Sequence, residues 1–337
     1  MTTIYFIRHA ESDINVREPY SRPLTEKGMA DRRLVTNYLR DKNIDAVYSS
    51  PYVRAVSTVS DFAERFGFAV HIVEDFKERV SDSDWMRDMD FDAFMKRQWD
   101  DFTYSLSDGE CLNDVQKRNV AALNEVLSAN RDKNIVIGTH GTALSVIINH
   151  YDASYGCGDF MAMVDIMPWA VRMTFDGLKC TEIKKIDLFA ETFIRPMTSD
   201  DHGGAYGLWA NTPGMGLNDI DDSFDGIAKY LARNPKTCFV AEKASGVIGV
   251  ILCGHDGRRG FIYHMAVAEH ERMNGVGAAL LESAVSALRR EGVTKVGLFV
   301  KGNNASGNSF WEHAGFAART DLVYRDAALV ELKRLDT

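Results

Sequence analysis

Residues 1–15 read MTTIYFIRHAESDIN. Thr3 through Ile7 form a short run of β-branched and aromatic residues of the kind that fills a buried strand. The run halts at Arg8-His9 and turns polar. A strand of a parallel α/β sheet that ends in a cation and an imidazole places both at the sheet edge where such folds bind their ligands.

Similar runs recur along the first half. AVYSS (46–50), AVHIV (69–73) and NIVIGTH (134–140) read as buried strands. EKGMADRRLVTNYLRD (26–41) and CLNDVQKRNVAALNEVLSAN (111–130) carry helical periodicity. This alternation predicts a three-layer α/β/α domain with a mainly parallel sheet. Past residue 168 the pattern becomes two adjacent strand-like runs, WAVRMTF and KCTEIKKIDL, separated by Asp176-Gly177. Asp-Gly at that place signals a hairpin and a natural domain end. ETFIRPMTSDD then restarts a strand-turn-helix pattern, so two domains are expected, 1–189 and 190–337, the second of mixed α/β type.

Bulk properties narrow the class. At 337 residues the chain exceeds the usual size of a single core. A net charge of -9 disfavours a nucleic-acid binder, which needs a basic face. The five cysteines contain no C-x-x-C pair, so neither a zinc set nor a disulfide framework is expected. No apolar stretch approaches the roughly 20 residues of a membrane span, and the start lacks a secretory pattern. A cytoplasmic protein acting without metal is the expectation.

Three segments of the first half carry chemistry at strand ends: Arg8-His9, Arg54 in SSPYVRAVST just inside a helix started by Pro51, and His140-Gly141. Two guanidinium forks suit a phosphoryl group, and a neutral imidazole beside them can attack phosphorus. With RHAESDIN, PLTEKG and DGECLNDVQKR in this order, residues 1 to 188 resemble the histidine phosphatase, or phosphoglycerate mutase-like, superfamily. The resemblance implies His9 as nucleophile, with Arg8, Arg54 and His140 holding phosphoryl oxygens and Asn15 assisting. It also implies a glutamate proton donor after the third strand, where DFKERV supplies Glu78, with Glu74 as a neighbouring competitor. Ala10 departs from the family, which usually has glycine there. Either that position needs only a small side chain, or it needs a positive φ that alanine adopts at a cost of about 1–2 kcal/mol; the retained phosphate ligands favour the first. The compact length favours hydrolysis of a small phosphomonoester over a mutase-type phosphotransfer. The segment 82–102 is expected to lie over the site as a helical lid.

In the second half, a strand from Gly260 to Val267 leads through RMNGVG into a helix with apolar residues at Leu281, Ala284, Val285 and Leu288. Glycines at a helix start let free N–H groups approach an anion, which the helix dipole also favours. With KVGLFVKGNNASGNSFWEHAGF downstream, residues 191 to 334 resemble the GNAT family of N-acetyltransferases. By that resemblance Arg272, Asn274, Gly275, Val276, Gly277 and Ala278 form the loop that holds the pyrophosphate of acetyl-CoA. Met265 and Val267 lie on the strand that pairs with the pantetheine arm, Asn304 matches the asparagine after the next strand, and Gly315-Phe316 leads into a closing hairpin. Trp311 stands where the family often has a tyrosine that protonates the leaving thiolate. Indole cannot serve so: either the transfer lacks that acid and a bound amine attacks directly at a lower rate, or Tyr263, His264 or Tyr324 acts.

The combination reads as a bifunctional enzyme: phosphomonoester hydrolysis through a phosphohistidine, and acetyl transfer from acetyl-CoA to an amine. The alternative makes one half a ligand-binding sensor of acetyl-CoA or of a phosphorylated effector. Small molecules, not nucleic acid or membrane, are the expected partners, and nothing in the sequence speaks to oligomeric state.

Overall fold

The computed structural model describes residues 1–80, 90–106 and 108–335. The chain divides into two compact units, Met1–Glu191 and Thr192–Thr337.

The first unit runs β1 (Thr2–Arg8), α1 (Glu26–Leu39), β2 (Ala46–Ser49), α2 (Val53–Phe66), β3 (Val70–Ile72), α3 (Phe91–Asp100), α4 (Leu112–Ala129), β4 (Asn134–Thr139), α5 (Gly141–Tyr151), α6 (Cys157–Met163), β5 (Trp169–Asp176) and β6 (Lys179–Ile186). Its sheet has the order β3-β2-β4-β1-β5-β6. The first four of these strands are parallel, and β5 and β6 add an antiparallel edge. Gly177 supplies the positive φ of 59° at the β5–β6 turn, as the Asp-Gly signal requires. Alternation along β1 sends Ile4 and Phe6 into the core beneath α4 and α5, while Tyr5 meets Tyr38 of α1 on the other face. Both faces are therefore covered, and β1 is central and buried nearly throughout.

Two local features differ from the sequence reading. Pro51 precedes α2 rather than starting it, because Tyr52, at φ -69° and ψ 129°, is still extended and forms the N-cap. In the segment 82–102, residues 82–89 lie outside the described residues. The rest forms α3, which sinks Phe94, Met95 and Trp99 into the core.

The second unit runs β7 (Phe193–Pro196), α7 (His202–Ala210), α8 (Phe224–Arg233), β8 (Phe239–Lys243), β9 (Gly246–His255), β10 (Gly260–Val267), α9 (Val276–Arg290), β11 (Val296–Leu298) and α10 (Ala305–His313). The sheet order is β11-β10-β9-β8-β7, antiparallel except for the parallel pair β10–β11. The IRPMTSDD opening has a physical basis. Arg195 on β7 donates to both carboxylate oxygens of Asp201 at 2.8 and 2.6 Å and to Glu242 at 2.7 Å, while Asp201 also caps Thr198. One face of the sheet packs on α9 through Ile251, Leu280, Ala284 and Leu288. The other packs on α7 and α8 through Trp209, Ile227 and Leu231.

A bulge in β10 shifts its register with β9 between Ile262 and His264. Ile262 packs toward α9, but beyond the bulge Ala266 packs toward α7 and α8. The closing hairpin expected after Gly315-Phe316 does not form among the described residues. The described residues there form no named strand or helix, and their end instead pairs with the loop before α8 through Lys333 and Asp219 and a bridge between Asn218 and Arg334.

Candidate active sites

In the first unit, the carboxyl ends of β1 and β4 and the start of α2 converge. The His9 and His140 rings lie edge to face, 5.3 Å between centroids. Arg54 donates its Nε–H to His9 Nε2 at 3.2 Å. On the other side of the ring, Nδ1 lies 2.7 Å from the Ala10 carbonyl oxygen. A carbonyl oxygen only accepts, so Nδ1 carries the proton and Nε2 the lone pair. That is the tautomer a phosphorus nucleophile needs. His140 Nε2 is 2.7 Å from Ser50 Oγ, and its Nδ1 is buried without a partner. Burial, followed by the Arg54 charge, holds both imidazoles well below the ordinary histidine value; both are neutral at pH 7. Burial likewise brings Arg8 and Arg54 down to about 10, which leaves them cationic.

Glu78 reaches the same place from the loop after β3. Its two carboxylate oxygens accept the amides of Thr142 and Ala143, at 3.0 and 3.1 Å, in the first turn of the helix that follows His140. Glu74, the competing carboxylate, is instead engaged by Tyr20 at 2.6 Å and Lys77 at 3.2 Å on the exposed side. Geometry separates the two glutamates where spacing alone does not.

One expected ligand is partly engaged elsewhere and another points away. The Arg8 fork donates to the carbonyls of Met163, Ile166 and Val164 at 2.6, 3.1 and 2.8 Å, leaving its buried Nε without a partner. Asn15 is exposed, with its amide on Asp13 at 2.9 Å. Ala10 is fully buried and is not among the residues of positive φ, and its N–H donates to Thr58 Oγ1 at 2.9 Å. The position demands small volume, not glycine's backbone freedom. Nearby, the glycine of PLTEKG has a steric reason: a Cβ at Gly28 would collide with the Glu11 carbonyl oxygen.

Arg118 of α4 is a residue the sequence reading quoted without assigning. It donates to the carbonyls of Asp75, Lys77 and Glu78 at 2.7, 2.8 and 3.1 Å. It also forks onto both oxygens of Glu110 at 2.9 Å, while Glu110 accepts the Val80 amide at 2.8 Å. The Glu110–Arg118 pair thus clamps the loop that carries Glu78. The glutamate-to-arginine spacing within DGECLNDVQKR was its only trace in the sequence.

In the second unit, Met273 (φ 65°) and Gly275 (φ 80°) are both left-handed, and the chain turns through them into α9. Gly275 is the N-cap, and no side chain caps the helix, so the first-turn amides from Val276 to Ala278 lack intrahelical acceptors. Asn274 lies between the two left-handed residues. At Gly277 an added Cβ would press on Phe310 at 3.3 Å and on the tip of Met265 at 3.4 Å. The missing side chain keeps the helix start open beside β10. Arg272 is tethered to the Val267 carbonyl at 3.1 Å. Asn304 caps α10 through the Gly307 amide at 2.9 Å. These residues fit a group that presents phosphate to backbone amides and an extended arm to β10. Trp311 packs against Phe310 and Phe316, a packing role in place of a proton donor.

The strand-end histidines and the open helix start are the marks of a phosphoryl-transfer fold and an acyl-CoA fold. Family models match both: the histidine phosphatase superfamily (branch 1) over residues 4–155 and the acetyltransferase (GNAT) family over residues 207–316. The first unit thus carries a histidine phosphatase domain and the second a GNAT acetyltransferase domain. Among similar proteins, Acetyltransferase SG1711 of Sodalis glossinidius is 29% identical over 138 residues, 41% of this chain and 96% of its own length. Acetyltransferase plu1384 of Photorhabdus laumondii is 31% identical over 111 residues, 33% of this chain and 76% of its own length. The uncharacterized phosphatase PhoE of Bacillus subtilis is 27% identical over 152 residues, 44% of this chain and 76% of its own length.

Proposed function

We propose that the chain is a bifunctional enzyme that hydrolyses phosphomonoesters in its first unit and acetylates an amine from acetyl-CoA in its second. The observation that carries the first activity is the fixed tautomer of His9, whose unprotonated Nε2 faces Arg54 beside a second neutral imidazole. His9 Nε2 attacks phosphorus and the P–O bond to the leaving group breaks. Glu78 supplies the proton to the departing alcohol. Glu78, now a carboxylate, takes a proton from the water that cleaves the phosphohistidine, releasing phosphate and restoring the imidazole. Arg54, and the Arg8 Nε left without a partner, spread the charge of the phosphoryl oxygens. Small phosphomonoesters are the substrate class, because the ligand set addresses one phosphoryl group.

For the second activity, backbone amides at the start of α9 would hold the pyrophosphate of acetyl-CoA, and β10 would pair with its pantetheine arm. Bound acetyl-CoA supplies an activated acyl thioester next to that strand. Unlike the sensor alternative, this reading gains support from Ala10, whose ordinary backbone leaves the first site undistorted.

Parallel assays on the full chain test both activities. His9→Ala should abolish hydrolysis of p-nitrophenyl phosphate, and acid-labile phosphoprotein should be trapped in the parent alone. Acetyl-CoA should bind parent and variant alike by calorimetry. Retained hydrolysis in His9→Ala removes the first assignment, and absence of binding heat removes the second.

A further inference from the structure

The second unit contains a carboxylate–imidazole pair that neither the glycine loop nor the sheet requires. We infer that His264, oriented by Asp222, is the general base that deprotonates the acceptor amine, an inference that rests on the acetyltransferase reading above.

The placement comes first. β10 and β11 share rungs only from Gly260–Val296 to Ile262–Leu298. Beyond them β10 continues to Val267 paired with β9 alone, so the sheet opens there on the side of β11. His264 is the second residue past the last shared rung. The bulge turns it toward α7, where its ring lies 5.2 Å from that of Trp209.

The chemistry of the pair follows from its hydrogen bonds. Asp222 Oδ1 is 2.8 Å from His264 Nε2, and Oδ2 accepts the Asn218 amide at 2.7 Å. The side chains of His264 and Asp222 are only 14% and 3% exposed. With Asp222 ionised, Nε2 must carry the proton and Nδ1 the lone pair, and Nδ1 is buried without a partner. A carboxylate fixing the tautomer of an imidazole whose other nitrogen is free is the arrangement of an oriented base. Beside the pair lie His202 of α7, whose Nε2 is 3.0 Å from the Asp222 carbonyl oxygen, and Asp221, whose carboxylate accepts the Asn218 side-chain amide at 3.0 Å. Neither is hydrogen-bonded to His264 Nδ1.

The rim of the opening indicates the acceptor class. Phe261, Tyr263, Phe299 and Tyr324 form a chain of ring contacts 4.3–4.9 Å apart, and the last three are more than half exposed. Aromatic faces attract a cation and an apolar body alike. The acceptor that fits is a primary amine on an apolar group, arriving as an ammonium ion. Its nitrogen gives one proton to His264 Nδ1, and the imidazolium formed is balanced by Asp222. The freed lone pair forms the C–N bond to the acetyl carbonyl. The C–S bond breaks with its electron pair on sulfur, and the second proton shed by nitrogen goes to the thiolate. His264 then returns its proton to solvent.

The test uses the full chain, acetyl-CoA and benzylamine, which is protonated at pH 7. Calorimetry with acetyl-CoA comes first; no binding by the parent overturns the acetyltransferase reading itself. Where the parent binds, CoA release with benzylamine is followed from pH 6.5 to 9.5. His264→Gln should bind acetyl-CoA within twofold of the parent yet turn over about a hundredfold more slowly at pH 7. The deficit should shrink below tenfold at pH 9.5, where the amine arrives already neutral. Asp222→Asn should move in the same direction by about tenfold. A loss equal at both pH values makes the pair structural and overturns the base. Unchanged turnover in His264→Gln does the same, and a parent that binds acetyl-CoA but leaves benzylamine untouched overturns the acceptor class.

Discussion

Arg54 Nε stands 3.2 Å from His9 Nε2, so the nitrogen expected to attack phosphorus already accepts a hydrogen bond from the cation expected to hold the phosphoryl oxygens. Substrate must enter between them. Arg54→Lys keeps the charge but loses the planar fork, and should lower kcat/KM for p-nitrophenyl phosphate by about tenfold or more. Steady-state kinetics at constant ionic strength check this.

The same two imidazoles link stability to pH. Their folded values are depressed, whereas an unfolded histidine titrates near 6.5. Below about that pH the unfolded chain binds protons the folded chain refuses, so this contribution is complete above pH 6.5 and is lost as pH falls. Each group removes up to about 1.4 kcal/mol per pH unit in that window. Urea midpoints at pH 7.5 and pH 5 should differ less in His9→Gln than in the parent.

Ala10→Gly should alter hydrolysis by less than tenfold, because alanine adopts its native backbone there without a left-handed turn. Ala10→Val should cost about 1–3 kcal/mol of stability from overpacking a fully buried position. Kinetics and thermal unfolding on both variants separate volume from conformation.

Arg118→Met removes the clamp on the loop carrying Glu78 without touching the histidines. If Glu78 is the proton donor, hydrolysis of an alkyl phosphate should fall by about tenfold or more. p-Nitrophenyl phosphate, whose leaving group needs little protonation, should fall much less. Equal losses on both esters would show that Arg118 supports the fold only.

Gly277→Val should weaken acetyl-CoA binding at least tenfold, since the added side chain meets Phe310 and Met265 and closes the helix start. Arg272→Ala should have the milder effect, because that guanidinium is already tied to the Val267 carbonyl. Calorimetry on the full chain measures both.

Most strands and the long helices α1 and α4 of the first unit were legible from their period and bounding turn residues, but α5 and α6 were not read, and β3, expected as a buried strand, lies largely exposed at the sheet edge. The β10–α9 turn was legible from its glycines. Less was readable where a partner lies far along the chain. The Arg8 fork is taken by carbonyls at positions 163–166, and backbone carbonyls leave no mark in a sequence. The Asp222–His264 pair depends on a single-residue bulge that reverses which face His264 occupies, and strand alternation cannot foresee that. After Phe316 the family resemblance implied a hairpin, yet the described chain pairs with the loop at 217–219 instead.

Ala10 also bears on how distant relatives of this protein are to be found. A search pattern that insists on glycine after the Arg-His pair would discard this chain, although its backbone there asks nothing of glycine. Scoring that position by side-chain bulk, with alanine admitted on equal terms and branched residues penalised, would follow the steric constraint itself. Sequences that lack the glycine could then be sorted by whether both histidines and the arginine of α2 survive.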